Sequence, residues 1–270
     1  MQYEIKPVGK LTLGLKELWE FRELFYFFTW KDIKVKYKQT VLGVLWAILQ
    51  PFIMMVVFSV FFGKVIGVPS DNIPYPIFAF SGLILWNIFS SGVSNASQSM
   101  VANANIIKKI YFPRLIIPIS AILVALFDFI MAFIVYILLL VYYQFSISPL
   151  ILLYFPLSIL ITVIATFGIG TFIAALNVKY RDFRYVIPFL IQLLFFLTPI
   201  IYPISMVPQW TKPFLALNPM VGAIDLLRST IINNELNWQY VTISISSSVI
   251  LFLFGLYYFR KTEYYFADLA

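Results

Sequence analysis

WKDIKVKYKQTVLGVLWAILQP, residues 30 to 51, changes character at its middle. Lysines at 31, 34, 36 and 38 crowd its first half, and its second half opens the apolar run Val41 to Gly63, 23 residues without a charge. As a helix rising about 1.5 Å per residue, such a run is long enough for a hydrocarbon core of about 30 Å. A basic cluster directly ahead of a first span resists translocation, so the amino terminus is expected inside.

The whole chain agrees with that reading. Its 270 residues are 61% hydrophobic and 11% charged, against roughly 25% charged residues in soluble domains. An integral membrane protein follows, because a large soluble α/β core would need frequent turn residues and charged helix faces. The first 30 residues carry charges throughout and lack a clean apolar segment with a small-residue cleavage site, so no secretory signal is expected. Cysteine and histidine are both absent, which removes disulfides, thiolate nucleophiles and imidazole chemistry and makes a metal site unexpected.

Residues 1 to 40 interleave basic side chains with Leu18, Trp19, Phe21, Phe25 and Phe28. At the helical period Lys16, Glu20, Glu23, Lys31, Lys34 and Lys38 gather in one sector, which predicts an amphipathic helix along the membrane surface. Thr29 to Asp32 has the capping-box form, so a fresh helix is expected to start there and run into the first span. That span (about 41–63) contains Pro51, an expected kink. The second (about 76–98) carries Asn87, Ser91, Ser94 and Gln98 at helical spacing, a polar stripe suited to helix packing or to lining a hydrophilic conduit. A basic segment at 99–114 precedes a third span (about 115–142) with Asp128 near its centre. No lysine, arginine or histidine within any span offers that carboxylate a partner, so a hydrogen-bonded or protonated structural role is weighed against a functional one. The fourth span (about 150–176) places Thr162, Thr166, Gly170 and Ala174 four apart, a seam for close packing. A fifth span covers about 185–199. Residues 198–238 are interrupted by prolines at 199, 203, 208, 213 and 219, so re-entrant half-helices are expected before a sixth span at about 239–259 and a tail at 261–270.

Counting charges orients this arrangement. Segments expected inside hold sixteen basic residues, and those outside hold only Lys64, Lys212 and Arg228. Both ends are therefore expected inside, around an all-α domain of six spans, and the net charge of +7 needs no nucleic acid to explain it. No G-x-x-x-x-G-K-[ST] phosphate loop occurs. Intramembrane ionisable residues are too few for the relays of ion-driven carriers. The 28 Phe, 17 Tyr and 6 Trp supply faces that stack on sugar rings, although lipid-facing and interface roles account for most of them.

Residues 30–51, NANIIKKIYFPR (103–114), LNVKYRDFRYVIPFLIQ (176–192), TPIIYP (198–203) and LNPM (217–220) resemble the ABC-2 polysaccharide export permeases, especially those for O-antigen and their teichoic-acid and capsule counterparts. The resemblance implies a homodimer with two copies of a separate ATPase subunit, exporting a lipid-linked glycan. ATP and Mg would bind that partner, leaving no cofactor on this chain. It further implies that Asn105, Ile106, Lys108, Lys109, Tyr111, Phe112, Pro113, Arg114, Lys179, Arg181 and Asp182 couple to the ATPase. Pro199, Tyr202, Pro203, Asn218 and Pro219 would belong to a periplasmic gate. The first and fifth spans would line the channel, with Trp46, Phe52, Phe58, Asn87, Ser91, Phe189 and Phe196 as candidate contacts for substrate. Export of a lipid or drug is the alternative within the family. An ATP-independent flippase or a membrane glycosyltransferase would require an acidic or histidine constellation that the sequence lacks.

Overall fold

The computed structural model describes residues 15–38, 40–145, 148–180, 182–232, 236–264 and 266, and among them there is no strand. Helices α1 (Leu15–Glu20) and α2 (Arg22–Tyr37) precede α3 (Leu45–Phe58), which widens into a π-helical segment, Ser59–Ile66. Then come α4 (Tyr75–Ala102), the single turn α5 (Ala104–Ile107), α6 (Ile116–Tyr142), α7 (Ile151–Lys179) and α8 (Phe183–Leu197). A 3-10 turn at Ile204–Met206, α9 (Lys212–Ala216), α10 (Pro219–Ile232) and α11 (Trp238–Glu263) complete the described order.

Five stretches are long and apolar enough to cross a membrane: Leu45–Ile66, α4, α6, α7 and α11. With 15 residues, α8 rises only about 22 Å at 1.5 Å per residue. The hub is α4, which packs against α3, α6, α7, α8 and α10. Its first half is almost wholly buried, and Ile77, Phe78, Ala79 and Phe80 are completely so. A helix of that kind is stable only inside a bundle.

Helix α7 lies between α4 and α11. The predicted seam is buried and faces α4: a Cβ at Gly92 would lie 2.5 Å from the Thr166 methyl, and one at Gly170 would lie 3.0 Å from Ala96. On the opposite side Gly168 and Gly255 bring α7 and α11 into backbone contact. By contrast α3, the π-helical segment that extends it and α8 leave Ile53, Val57, Phe61, Phe189, Leu193 and Leu197 exposed, as suits helices whose solvent is hydrocarbon.

A second core closes the basic end of the bundle. Leu18 and Phe28 from α1 and α2 pack there with Ile107, Phe112, Ile116, Val178 and Phe259. Trp19, Phe27 and Trp30 stay exposed, so the apolar residues of α1 and α2 divide between the protein body and the surroundings.

One boundary expectation is corrected. No helix starts at Thr29; α2 runs unbroken through it, and the chain turns only at residues 40–44, where Gly43 adopts φ +53°. Phe28 packs against Phe112 with ring centres 5.7 Å apart and planes tilted by 34°, and Lys31 reaches the Asn103 side chain at 2.8 Å, so the turns on both sides of Thr29 are pinned to the same surface. Continuous helix keeps both contacts, whereas a cap at Thr29 would turn one of them away. The first apolar helix accordingly starts at Leu45 rather than 41.

Candidate functional site

Asp128 is not alone. Lys36 Nζ lies 2.5 Å from its Oδ2, and the Tyr37 hydroxyl donates to its Oδ1. The partners were invisible to a search within spans because they come from α2. Burial, reinforced by the Asp128 carboxylate, pushes the Tyr37 hydroxyl above its ordinary value, so it remains a donor.

This pair stands at one wall of a cavity of about 380 Å³ between α3, α4, α6 and α8. Asn87, Ser90, Ser91 and Ser94 line it from α4; spacings of three, four and seven residues place them on one helical face. Trp46, Ala47, Gln50 and Pro51 line it from α3, and Pro188 and Ile191 from α8. Pro51 lies inside α3 and has no N–H to donate to the Ala47 carbonyl, so that helical bond is missing at the cavity wall. Ser91 bonds back to the Asn87 carbonyl, and Gln98, the last residue of the predicted stripe, lies outside the cavity.

A second cavity of about 600 Å³ adjoins the first, sharing Gln50, Pro51, Asn87, Ser90, Pro188 and Ile191 with it. Its far half is aromatic, formed by Phe58, Phe62, Trp86, Phe195 and Phe196. Together the two make a groove along α4 that is polar toward the basic end and aromatic toward the other. The candidate channel residues Trp46, Phe58, Asn87, Ser91 and Phe196 line it, whereas Phe52 and Phe189 are exposed elsewhere and line neither part.

At the aromatic end the bend after α8 is tied down by a residue that sequence reasoning counted only as a charge. Arg228 on α10 is 5% exposed and donates to the carbonyls of Pro199 (2.6 Å), Ile200 (2.9 Å) and Phe78 (2.9 Å), with its guanidinium 3.5 Å from the centre of the Phe78 ring. The Tyr75 hydroxyl donates to the Ile201 carbonyl at 2.7 Å, and Asn218 Nδ2 to Thr198 Oγ1 at 2.8 Å. Of the candidate gate residues, Pro199, Pro203 and Pro219 are buried, and Tyr202 and Asn218 are half-buried.

At the basic end residues 107–112 and Arg114, within the segment 103–114, line a shallow cavity of about 220 Å³. Asn105, Lys108, Lys109 and Tyr111 are exposed, Ile106 and Arg114 half-buried, and Phe112 and Pro113 buried. Tyr111 donates to Glu17 at 3.3 Å, and Arg114 bonds the Glu263 carbonyl, so this segment is fastened to both α1 and the end of α11. Lys179 and Asp182 are exposed nearby in sequence to one another, and Arg181 lies outside the described residues.

Among the described residues these cavities are lined by amides, hydroxyls, aromatic rings and the Lys36–Asp128 pair, groups that can hydrogen-bond a ligand and stack against it. The family description "ABC-2 type transporter" matches residues 23–232. The O-antigen export system permease protein RfbA of Klebsiella pneumoniae is 33% identical over 247 residues, covering 92% of this chain and 95% of the relative. A protein of the same description from Myxococcus xanthus is 31% identical over 212 residues, covering 77% and 80%. The polysialic acid transport protein KpsM of Escherichia coli is 29% identical over 243 residues, covering 86% and 91%.

Proposed function

The chain belongs to the ABC-2 type transporter family, a multi-pass membrane permease rather than an enzyme, and from that membership we propose that it exports a lipid-linked polysaccharide across the inner membrane. The observation that carries this reading is the continuous groove along α4, polar at one end and aromatic at the other. Amides and hydroxyls serve the edges of sugar rings and aromatic side chains their C–H faces. The similarity to O-antigen permeases over 92% of the chain supports an O-antigen-like cargo, and the similarity to KpsM makes a capsule glycan the second reading.

In this reading the permease is a homodimer driven by two copies of a separate ATPase, which holds ATP and Mg. The basic end faces the cytoplasm, with both termini there. Helix α8 makes a fifth crossing at reduced length, which gives six in all, and α9 and α10 form the re-entrant region on the outer side. The exposed stretch Lys108 to Tyr111 meets the ATPase, and the bend held by Arg228 forms the outer gate. Deleting the chain in its source cells tests the reading. Surface polysaccharide should disappear, and the lipid-linked polymer should accumulate in the inner membrane until the chain is restored. Normal surface glycan in the deletion strain would overturn it.

A further inference from the structure

The outward side of α2 carries groups that neither the groove nor the segment 103–114 uses. Phe27, Trp30, Lys31, Lys34, Val35 and Lys38 line a depression of about 430 Å³, and their spacing sets them along one side of the helix. Phe27 is 58% exposed, Trp30 45% and Val35 74%. Trp30 lies nearly parallel to the exposed ring of Tyr26, with centres 6.3 Å apart, and Lys34 Nζ sits 5.2 Å from the centre of the Trp30 ring. A row of large apolar side chains open on this scale marks a surface that something covers.

The lysines of α2 differ in what is left to them. Lys36 is taken by Asp128 at 2.5 Å, and Lys31 is shared between Asp32 at 3.1 Å and Asn103 at 2.8 Å. Lys34 and Lys38 are exposed and make no hydrogen bond or ion pair with a described residue. Free ammonium groups interleaved with open aromatic rings fit the headgroup level of a bilayer, where the rings meet the upper acyl region and the lysines reach phosphate. The location agrees, because Val41, Leu42 and Val44, between Lys38 and the span that starts at Leu45, are exposed as well. A zwitterionic headgroup brings its own cation to its phosphate, whereas an anionic one leaves that charge for Lys34 and Lys38. An acidic protein surface would answer the same lysines, but it would have to bury its polar groups against Phe27, Trp30 and Val35.

We propose that this face of α2 is a binding site for an anionic phospholipid of the leaflet at the basic end of the bundle: Lys34 and Lys38 hold the headgroup phosphate, and Phe27, Trp30 and Val35 hold the upper acyl region. The occupant is a lipid of the surrounding bilayer, distinct from any cargo, so the inference does not depend on what the chain exports. Bound there, the lipid bears on a helix whose other contacts reach two parts of the molecule. Phe28 and Lys31 join α2 to the segment 103–114, and Lys36 and Tyr37 join it to Asp128 in α6. Each lysine close to an anionic bilayer surface contributes about fivefold in affinity, so the two together contribute about 25-fold.

The full chain, purified in a mild detergent, would be titrated with phosphatidylglycerol or with phosphatidylcholine, and the lipid it retains would be counted by native mass spectrometry. Phosphatidylglycerol should be held about tenfold or more the tighter of the two. Lys34→Gln combined with Lys38→Gln should abolish that preference, and Trp30→Ala should weaken the binding of both lipids. Because the two lysines are exposed and bond no described residue, thermal unfolding of the double variant should match that of the wild type. Lys108→Gln combined with Lys109→Gln, which removes the same charge from an exposed segment outside this face, should keep the preference. Equal binding of the two lipids by the wild type, an unchanged preference in the Lys34 and Lys38 variant, or equal loss in the two double variants would each overturn the site. An unchanged preference accompanied by loss of a co-purified protein would give the face to an acidic partner instead. A polyprenyl diphosphate held far more tightly than phosphatidylglycerol, and released by the same two substitutions, would overturn the assignment to a bilayer lipid.

Discussion

Lys36 and Asp128 join helices 92 positions apart in sequence at 2.5 Å, so the carboxylate inside α6 is neutralised by a cation from outside any span. The Lys36 side chain is 41% exposed, and that of Asp128 14%. Lys36→Met strands a mostly buried carboxylate, whereas Asp128→Asn keeps a group to which Tyr37 can still donate. Thermal unfolding in detergent should rank Lys36→Met below Asp128→Asn. The double variant should recover part of the loss, with a coupling of about 1 kcal/mol given the exposure of the lysine. Strictly additive losses would mean that the pair contributes nothing to the fold.

Close helix packing makes a graded prediction. A Cβ at Gly170, Gly92 or Gly255 would meet its nearest neighbour at 3.0, 2.5 or 2.0 Å respectively, and at Gly255 that neighbour is the Gly168 backbone carbonyl. Alanine would gain about 1 kcal/mol of helix propensity at each position. The side-chain neighbours of Gly170 and Gly92 can yield, but two backbones cannot without moving α7 from α11. Gly170→Ala should therefore be the mildest of the three and Gly255→Ala the most damaging, by about 3 kcal/mol or more. Melting temperatures and the yield of folded protein check that order.

Much of this fold is legible in the sequence because membrane spans announce themselves as long apolar runs, and the Thr162 to Ala174 seam because its small residues repeat every helical turn. The polar face of α4 was equally plain, since Asn87, Ser91 and Ser94 recur at helical spacing in a segment that begins apolar. What escaped were pairings between distant segments. Lys36 looked like a topology signal among other lysines, and nothing local ties it to Asp128. Arg228 looked like a stray cation, although a proline-broken bend at 199 to 203 leaves carbonyls free and so calls for a donor from elsewhere. The Thr29 capping pattern misled because tertiary contacts at Phe28 and Lys31 outweigh a local cap.

The Arg228 clamp predicts a selective opening of the far end. Replacement by methionine leaves the Pro199, Ile200 and Phe78 carbonyls without their buried donor, at about 1–3 kcal/mol for each group left unsatisfied. Lysine lacks the planar fork and should recover only part of this. Since the chain has no cysteine, a single cysteine at Ile201, 7% exposed, is a clean reporter. Its maleimide reactivity should rise several-fold with Arg228→Met and less with Arg228→Lys, while a cysteine at the Val178 position, buried at the basic end, stays unreactive. Equal rises at both sites would indicate general unfolding.

Phe112 and its neighbours separate an interface from a fold. Lys108, Lys109 and Tyr111 are exposed, while Phe112 is 5% exposed and packed on Phe28. Replacing the first three by alanine removes two charges and a ring that hold little of the chain together, the Tyr111 to Glu17 bond being exposed. Thermal stability should therefore change by less than about 1 kcal/mol, while co-purification with the ATPase should fall at least tenfold. Phe112→Ala should instead cost about 3 kcal/mol through the cavity it leaves, and lose the partner only as the fold is lost. Wild-type co-purification by the triple variant would remove this surface from the coupling path, because no exposed side chain of 108 to 111 but Ile110 would then remain to carry it.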